Sequence, residues 1–302
     1  MSAAGPSQGA NAPSRREGAQ RQGCANERRR GKARVLALGG KARSAKGAPM
    51  SKGVWLETLS WPEAKEKIDA LWPVIVPIGA IAKEHGAHLP LNTDYLVARE
   101  LASRIADELP VIVAPILTLG YYPAFVRYPG SQHLRPETFQ AMLTDVFDKL
   151  VRDGARRIAV INTGISTEAP LRIVVREFYQ RTGVRVLTAD IASLGKRTRA
   201  LMKQQLGGHG DEAETSMILA IAPQAVRMDK AVVDYGNALG APRTVFYVPT
   251  IFDGDPTTGP DYSVSGVRGD PTLATAEKGR AILADMAAEL VAGLRKSFPE
   301  AL

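Results

Sequence analysis

From about Gly53 to the C-terminus, short apolar runs alternate with longer segments whose apolar residues recur every three or four positions. That alternation constrains the fold more than any other feature of the chain. The runs are Val74–Ile78, Val111–Leu117, Arg157–Ile161, Val184–Leu187 and Thr244–Val248. Each is short, bounded and rich in aliphatic residues, as buried strands are. Helices are expected over Trp61–Leu71, Asp94–Leu109, Pro136–Arg152, Glu168–Arg181, Leu194–Gln205, Asp211–Ile221 and Pro271–Lys296. Pro136 suits a first helical turn, where a missing N–H costs nothing, and Gly207–Gly208 marks the end of the helix before it. Strands separated by helices imply a mostly parallel sheet covered on both faces, with right-handed crossovers. No linker or repeat interrupts the pattern, so residues 51–302 are expected to form one α/β domain.

The formal charge of +8 belongs to the beginning of the chain. Residues 1–50 hold 11 Lys and Arg against 2 acidic residues, which leaves 28 basic and 29 acidic residues in the remainder. The folded part is close to neutral, so the high pI is no argument for nucleic-acid binding. The first 50 residues are rich in Gly, Ala, Ser and Arg and hold no aromatic residue. Such a segment buries too little apolar surface to offset its ordering entropy, and a disordered basic N-terminal extension is expected. An organelle-targeting peptide and a basic arm are its functional readings. A non-functional extension upstream of a start at Met50 is favoured over both. Val35–Leu38 is too short for a signal-peptide core and no segment is long enough to cross a bilayer, so a cytoplasmic protein with no membrane partner is expected. The single cysteine, Cys24, lies in the extension, which excludes disulfides and cysteine catalysis from the folded part.

The chemistry gathers in loops. Between the strand at Val74 and the helix from Asp94, the chain reads Ile78-Gly79-Ala80-Ile81-Ala82-Lys83-Glu84-His85-Gly86-Ala87-His88-Leu89-Pro90-Leu91-Asn92-Thr93-Asp94. Loops at the carboxyl ends of strands are where open α/β sheets place ligands. His133 falls in a glycine/proline loop, and His209 in Gly207-Gly208-His209-Gly210-Asp211-Glu212-Ala213-Glu214. Four histidines in loops or at helix starts, three with carboxylates close by, suit a divalent metal that takes imidazole and carboxylate ligands. Each residue also has a plainer use. His88 is better explained by hydrogen bonding around the Pro90 turn than by ligation. Lys83 and Glu84 read as a solvated charge pair, and Thr93 or Asp94 as a helix cap. Glu212 and Glu214 fall in a first helical turn, where the dipole favours acidic residues.

His85-Gly86-Ala87-His88-Leu89-Pro90-Leu91-Asn92-Thr93-Asp94 resembles the signature of the creatininase (creatinine amidohydrolase) family, Glu-Gln-His-Gly-Pro-His-Leu-Pro-Leu followed shortly by Asp. Gly208–Ser216 resembles its second signature, His-Ala-Gly-Glu-x-Glu-Thr-Ser. Tyr128-Pro129-Gly130-Ser131, Leu134–Thr138 and Gly266–Pro271 resemble its Pro-Gly-Thr loop, the helix after it and its closing segment. The resemblance implies a creatininase-like three-layer α/β/α subunit, usually in a hexamer, that hydrolyses a C–N bond of a small, sometimes cyclic, amide. It implies a divalent metal (Zn²⁺, Mn²⁺ or Fe²⁺), two ions bridged by an aspartate in the family. By position, His85 becomes a metal ligand, Asp94 the bridging ligand, Glu214 a further ligand and His209 the acid/base histidine.

The chain departs from the pattern twice. Lys83 stands where a ligand glutamate is expected, and Glu84 takes that role if the extra residue bulges the loop. Gly164, in Asn162-Thr163-Gly164-Ile165-Ser166-Thr167, stands where the family's Asn-Gly-His-Gly-Gly-Asn carries a histidine. One or two ions per subunit are therefore open. Two readings of His133 are open as well: it ligates in place of the missing histidine, or it bonds its own loop. Tyr121, Tyr122, Phe125 and Arg127 are expected to line the pocket. An amidohydrolase acting on a small-molecule substrate is favoured over a catalytically impaired binding or assembly subunit.

Overall fold

The computed structural model describes residues 51–240, 245, 246 and 248–302. The expected extension at residues 1–50 lies outside them. Five strands, β1 (Val54–Trp55), β2 (Val74–Ile78), β3 (Ile112–Val113), β4 (Ile158–Asn162) and β5 (Val186–Asp190), form one sheet in the order β1-β3-β2-β4-β5. Every pairing is parallel, with Val74 opposite both Ile112 and Ile158, and Asn162 opposite Asp190. The helices are α1 (Trp61–Asp69), α2 (Thr93–Glu108), α3 (Pro136–Arg152), α4 (Glu168–Thr182), α5 (Glu212–Ile221) and α6 (Ala276–Ser297).

Two apolar layers explain why the strands read as unbroken hydrophobic runs. All five residues of β2 and all five of β4 are buried. Val74, Val76, Ile78, Ile158 and Val160 face a core made with α3 and α4, built around Phe139, Leu143, Phe147 and Phe178. Ile75, Ala159 and Ile161 face the opposite core, made with α2, α5 and α6 around Leu101, Ile105, Ile218 and Leu283. A strand buried on both faces cannot show polar alternation. The three-layer α/β/α architecture is the expected one.

Several boundaries differ. The expected strand Val111–Leu117 shortens to β3 because Pro115 has no N–H to give the ladder, and only Leu117 rejoins it through a bridge to Ile78. The last strand begins at Val186, since Gly183 ends α4 at φ 71° and Val184 N–H is taken by Thr182 Oγ1. In place of a helix over Leu194–Gln205 there is a 3-10 turn, Lys196–Leu201, hung on Asp285, whose carboxylate accepts from Arg197 and Thr198 N–H. The long final helix is a separate turn, Pro271–Leu273, followed by α6, which Thr275 caps by accepting from Lys278 N–H. Of the run Thr244–Val248, Thr244 and Tyr247 lie outside the described residues. Val245 and Phe246 sit in an exposed bend and Val248 belongs to no strand.

Candidate metal centre

Three loops meet at the carboxyl edge of the sheet: the one between β2 and α2, the one before α5, and Gly266–Asp270. His209 N–H donates to Arg268 O at 3.1 Å and Arg268 N–H to His209 O at 2.8 Å, so the last two are zipped together. Gly210, at φ 56°, lets this zipper lie on the first loop, because a Cβ there would stand 2.9 Å from His85 O. Gly266, at φ 77°, leaves the space filled by the Glu84 carboxylate. The Pro-Gly loop supports the same segment, with Ser131 Oγ accepting from Glu84 N–H at 2.9 Å.

His85 is fully buried, and its two ring nitrogens have different partners. Nδ1 donates to Lys83 O at 2.9 Å, since a carbonyl can only accept. Nε2 therefore presents a lone pair or a second proton to Asp94 Oδ1, 3.0 Å away. Two acceptors at that separation call for a positive charge between them, either a proton or a metal ion. His209 repeats the arrangement: Nε2 donates to Glu84 O at 2.7 Å and lies 3.1 Å from Glu84 Oε2, while Nδ1 faces Glu214 Oε2 at 3.8 Å. The two imidazoles lie 4.7 Å apart, and His85, His209 and Glu214 each offer a ligand atom within 4.8 Å of the others. A metal-ligating histidine ordinarily anchors its second nitrogen on a carbonyl or carboxylate, as both rings do here. The donor set fits a divalent cation.

Asp94 lies within the first turn of α2. It is not the cap: Asn92 occupies that position, and Thr93 Oγ1 donates instead to Pro90 O. Burial opposes ionisation of the Asp94 carboxyl, but Lys83 and His85 outweigh it and hold the group well below the usual carboxylate range. Lys83 and Glu84 are not a solvated pair. Both are buried, Lys83 Nζ lying 2.6 Å from Asp94 Oδ2 and the Glu84 carboxylate bonding Gly86 N–H and His209. Glu84 thus bonds the second imidazole and lies outside the group formed by His85, His209 and Glu214. Asp211 caps α5 by accepting from Ala213 and Glu214 N–H, and burial followed by the nearby Glu214 charge raises its pKa. Glu214 also accepts from Gly210 N–H at 2.7 Å. Glu212 is buried apart from the cluster, against Lys278 and the N–H groups of Lys203 and Gln204.

His88 and His133 stay out of the cluster. His88 is buried and bonds Thr215 Oγ1 at 2.9 Å; burial pulls its pKa down to about 4, so the ring is neutral near pH 7. His133 is exposed, and its Nδ1 accepts from Tyr122 N–H at 3.0 Å. The residues on either side of it are tied inward, Gln132 N–H to Ala82 O and Leu134 N–H to Gly120 O, which turns His133 outward. Replacing His133 by alanine is expected to cost at most about 1 kcal/mol, one ordinary hydrogen bond, and to leave bound metal unchanged. Thermal unfolding and elemental analysis of the variant check both.

A cleft of about 530 Å³ opens above the cluster, and Lys83, Phe125, His209, Glu214, Arg172 and Arg268 are among its lining residues. Phe125 packs on the His209 ring at 4.0 Å, with Phe252 behind it. Tyr122 and Phe125 line the cleft as the sequence suggests. Tyr121 packs at a tilt beside His133 instead, and Arg127 pairs with Asp253 away from the lining. Arg172, Phe252 and Arg268 were not legible as pocket residues, since only chain folding brings α4 and the late loops beside His209.

A parallel α/β/α sheet with buried imidazoles and carboxylates at its carboxyl edge defines the class of protein. The chain belongs to the creatininase family, whose profile, creatinine amidohydrolase, matches residues 57–294. It is 28% identical over 270 residues to a creatinine amidohydrolase of Pseudomonas putida, covering 83% of this chain and 99% of the relative. It is 28% identical over 245 residues to a mycofactocin precursor peptide peptidase of Mycobacterium ulcerans (strain Agy99), covering 77% and 89%. A solved mutant creatininase of the Zn-Zn type superposes with a TM-score of 0.67 at 25% identity, covering 82% of this chain and 100% of that one. Both sequence relatives are hydrolytic enzymes. Among the described residues no helix is long and apolar enough to cross a membrane.

Proposed function

We propose that this chain is a metal-dependent hydrolase that cleaves a carbon–nitrogen bond of a small amide in the cleft above His209. The observation that carries the reading is the convergence of His85, His209 and Glu214 with the far nitrogen of each imidazole anchored on a backbone carbonyl. His85 and Glu214 would hold the ion, with the Asp94 carboxylate beside His85 at 3.0 Å as a further donor, and Zn²⁺, Mn²⁺ and Fe²⁺ all accept such imidazole and carboxylate donors. When bound, the ion polarises the amide carbonyl and brings the pKa of water toward neutrality. His209 carries the proton to the leaving nitrogen at Nδ1, the ring atom turned away from Glu84. The Glu84 carboxylate at Nε2 keeps the ring in place and stabilises it while charged. Phe125 and Phe252 shield that ring from water on one side. Arg268 gives the cleft a guanidinium group, which suits a substrate with an anionic group, whereas Arg172 is paired with Glu168 and Asp190.

The amide is small or is the exposed end of a peptide, in keeping with the two activities of the relatives. The test is hydrolysis of creatinine, hydantoin and short peptide amides by protein loaded with Zn²⁺ or Mn²⁺. At least one amide is expected to be hydrolysed, with activity lost on chelation and regained when metal is restored. Metal-loaded protein inert toward all of them would leave the non-catalytic reading, a binding or assembly subunit.

A further inference from the structure

If the centre at His85 and Glu214 holds a divalent ion with Asp94 beside it, as proposed above, the other side of Asp94 is already taken by a cation of the chain itself. Lys83 Nζ lies 2.6 Å from Asp94 Oδ2, while His85 Nε2 lies 3.0 Å from Oδ1. The two oxygens of one carboxylate thus serve two different partners, as they do when a carboxylate bridges two metal ions. We propose that the Lys83 ammonium stands in the place of a second ion, so that the centre of this chain takes a single divalent cation.

Distance and charge support this first. A zinc ion sits about 2.0–2.2 Å from a carboxylate oxygen. An ammonium already resting on Oδ2 occupies that approach and repels a dication in a buried setting, where charges are weakly screened.

The lysine is also held where it is. Its side chain is 5% exposed, its N–H donates to Leu91 O at 3.0 Å, and its ammonium lies 5.0 Å from the Phe125 ring centroid and 5.6 Å from that of Tyr122. Aromatic faces attract a cation, so the wall beside it adds to the ion pair.

Nor does the end of β4, next to Asp94, offer ligands for a second ion. Thr163 Oγ1 is engaged with the carbonyls of Ile78 and Asp94, at 3.0 and 3.1 Å. Gly164 has no side chain, and a Cβ there would stand 3.0 Å from both Thr167 Oγ1 and Tyr122 Cε1, so the space is filled by neighbours. Among the described residues, the one group of three potential ligands is His85, His209 and Glu214. The chain therefore parts from its structural relative of the Zn-Zn type in the number of ions it holds.

The test is stoichiometry. Chelator-treated full-length protein is titrated with Zn²⁺ alone and read by native mass spectrometry and calorimetry, for the wild type and for Lys83→Met. One tightly bound zinc per wild-type chain is expected. Lys83→Met removes the competing cation, so it is expected to keep one zinc and bind it about tenfold more tightly or better. Two tight zinc ions per wild-type chain overturn the inference and leave the metal-centre reading standing. Unchanged or weaker binding in Lys83→Met overturns it too. No zinc bound to the wild type removes both readings together. The wild-type count decides the matter even if the variant fails to fold.

Discussion

Replacing Asp94 by asparagine is expected to cost about 3–5 kcal/mol of stability and to abolish tight metal binding, although shape and volume are almost unchanged. Asparagine is neutral, so Lys83 would be left as a buried ammonium without its anion, and removing one partner of a buried pair is costly for that reason. At this chain length such a loss lowers the melting temperature by roughly 10 °C. A residue that merely favoured the helix dipole from the first turn of α2 would contribute no more than about 1 kcal/mol. Thermal unfolding in the presence of chelator separates the two cases, because metal then contributes nothing. The double variant Asp94→Asn, Lys83→Met is expected to recover much of the loss, since both charges leave together. A single variant as stable as the wild type would mean that the Lys83–Asp94 pair does not hold the loop.

His209→Gln is expected to lower kcat/KM by about 10²–10⁴-fold, the usual contribution of a positioned acid or base, with metal content unchanged. Glutamine still offers an N–H to Glu84 O but has no group that can carry a proton to a leaving nitrogen. The measurement pairs steady-state kinetics, on whichever amide the wild type hydrolyses, with elemental analysis of the same preparation. Metal lost in step with activity would make His209 a ligand and not the proton carrier, an outcome that its 3.8 Å approach to Glu214 makes worth testing.

How much was legible follows from how local each feature is. β2, α2, α3 and α4 were readable to within a residue or two because apolar spacing, Pro136 and the flanking turns all act within the segment itself. The turn at Lys196–Leu201 was not, because it hangs on Asp285, far along the chain. His85, Asp94, His209 and Glu214 were singled out by the motifs that resemble the family's signatures, which are carried by neighbouring residues. His133 emerges at the same edge of the sheet, but the inward ties of Gln132 and Leu134 turn it outward, and those ties reach residues 82 and 120. A sequence shows which loop a side chain leaves from but not which way it faces.

The sequence by itself determined the layered parallel architecture and the family, because burial periodicity and short motifs are carried by neighbouring residues. It also carried the two departures, Lys83 and Gly164, as unexplained substitutions. Only the tertiary structure decided what surrounds them. Whether an ammonium is solvated or set into a carboxylate depends on what folds against it, here Asp94 from α2 and the rings of Tyr122 and Phe125 from the loop after β3. In water that pairing is weak, and the buried setting made by those elements leaves it far less screened.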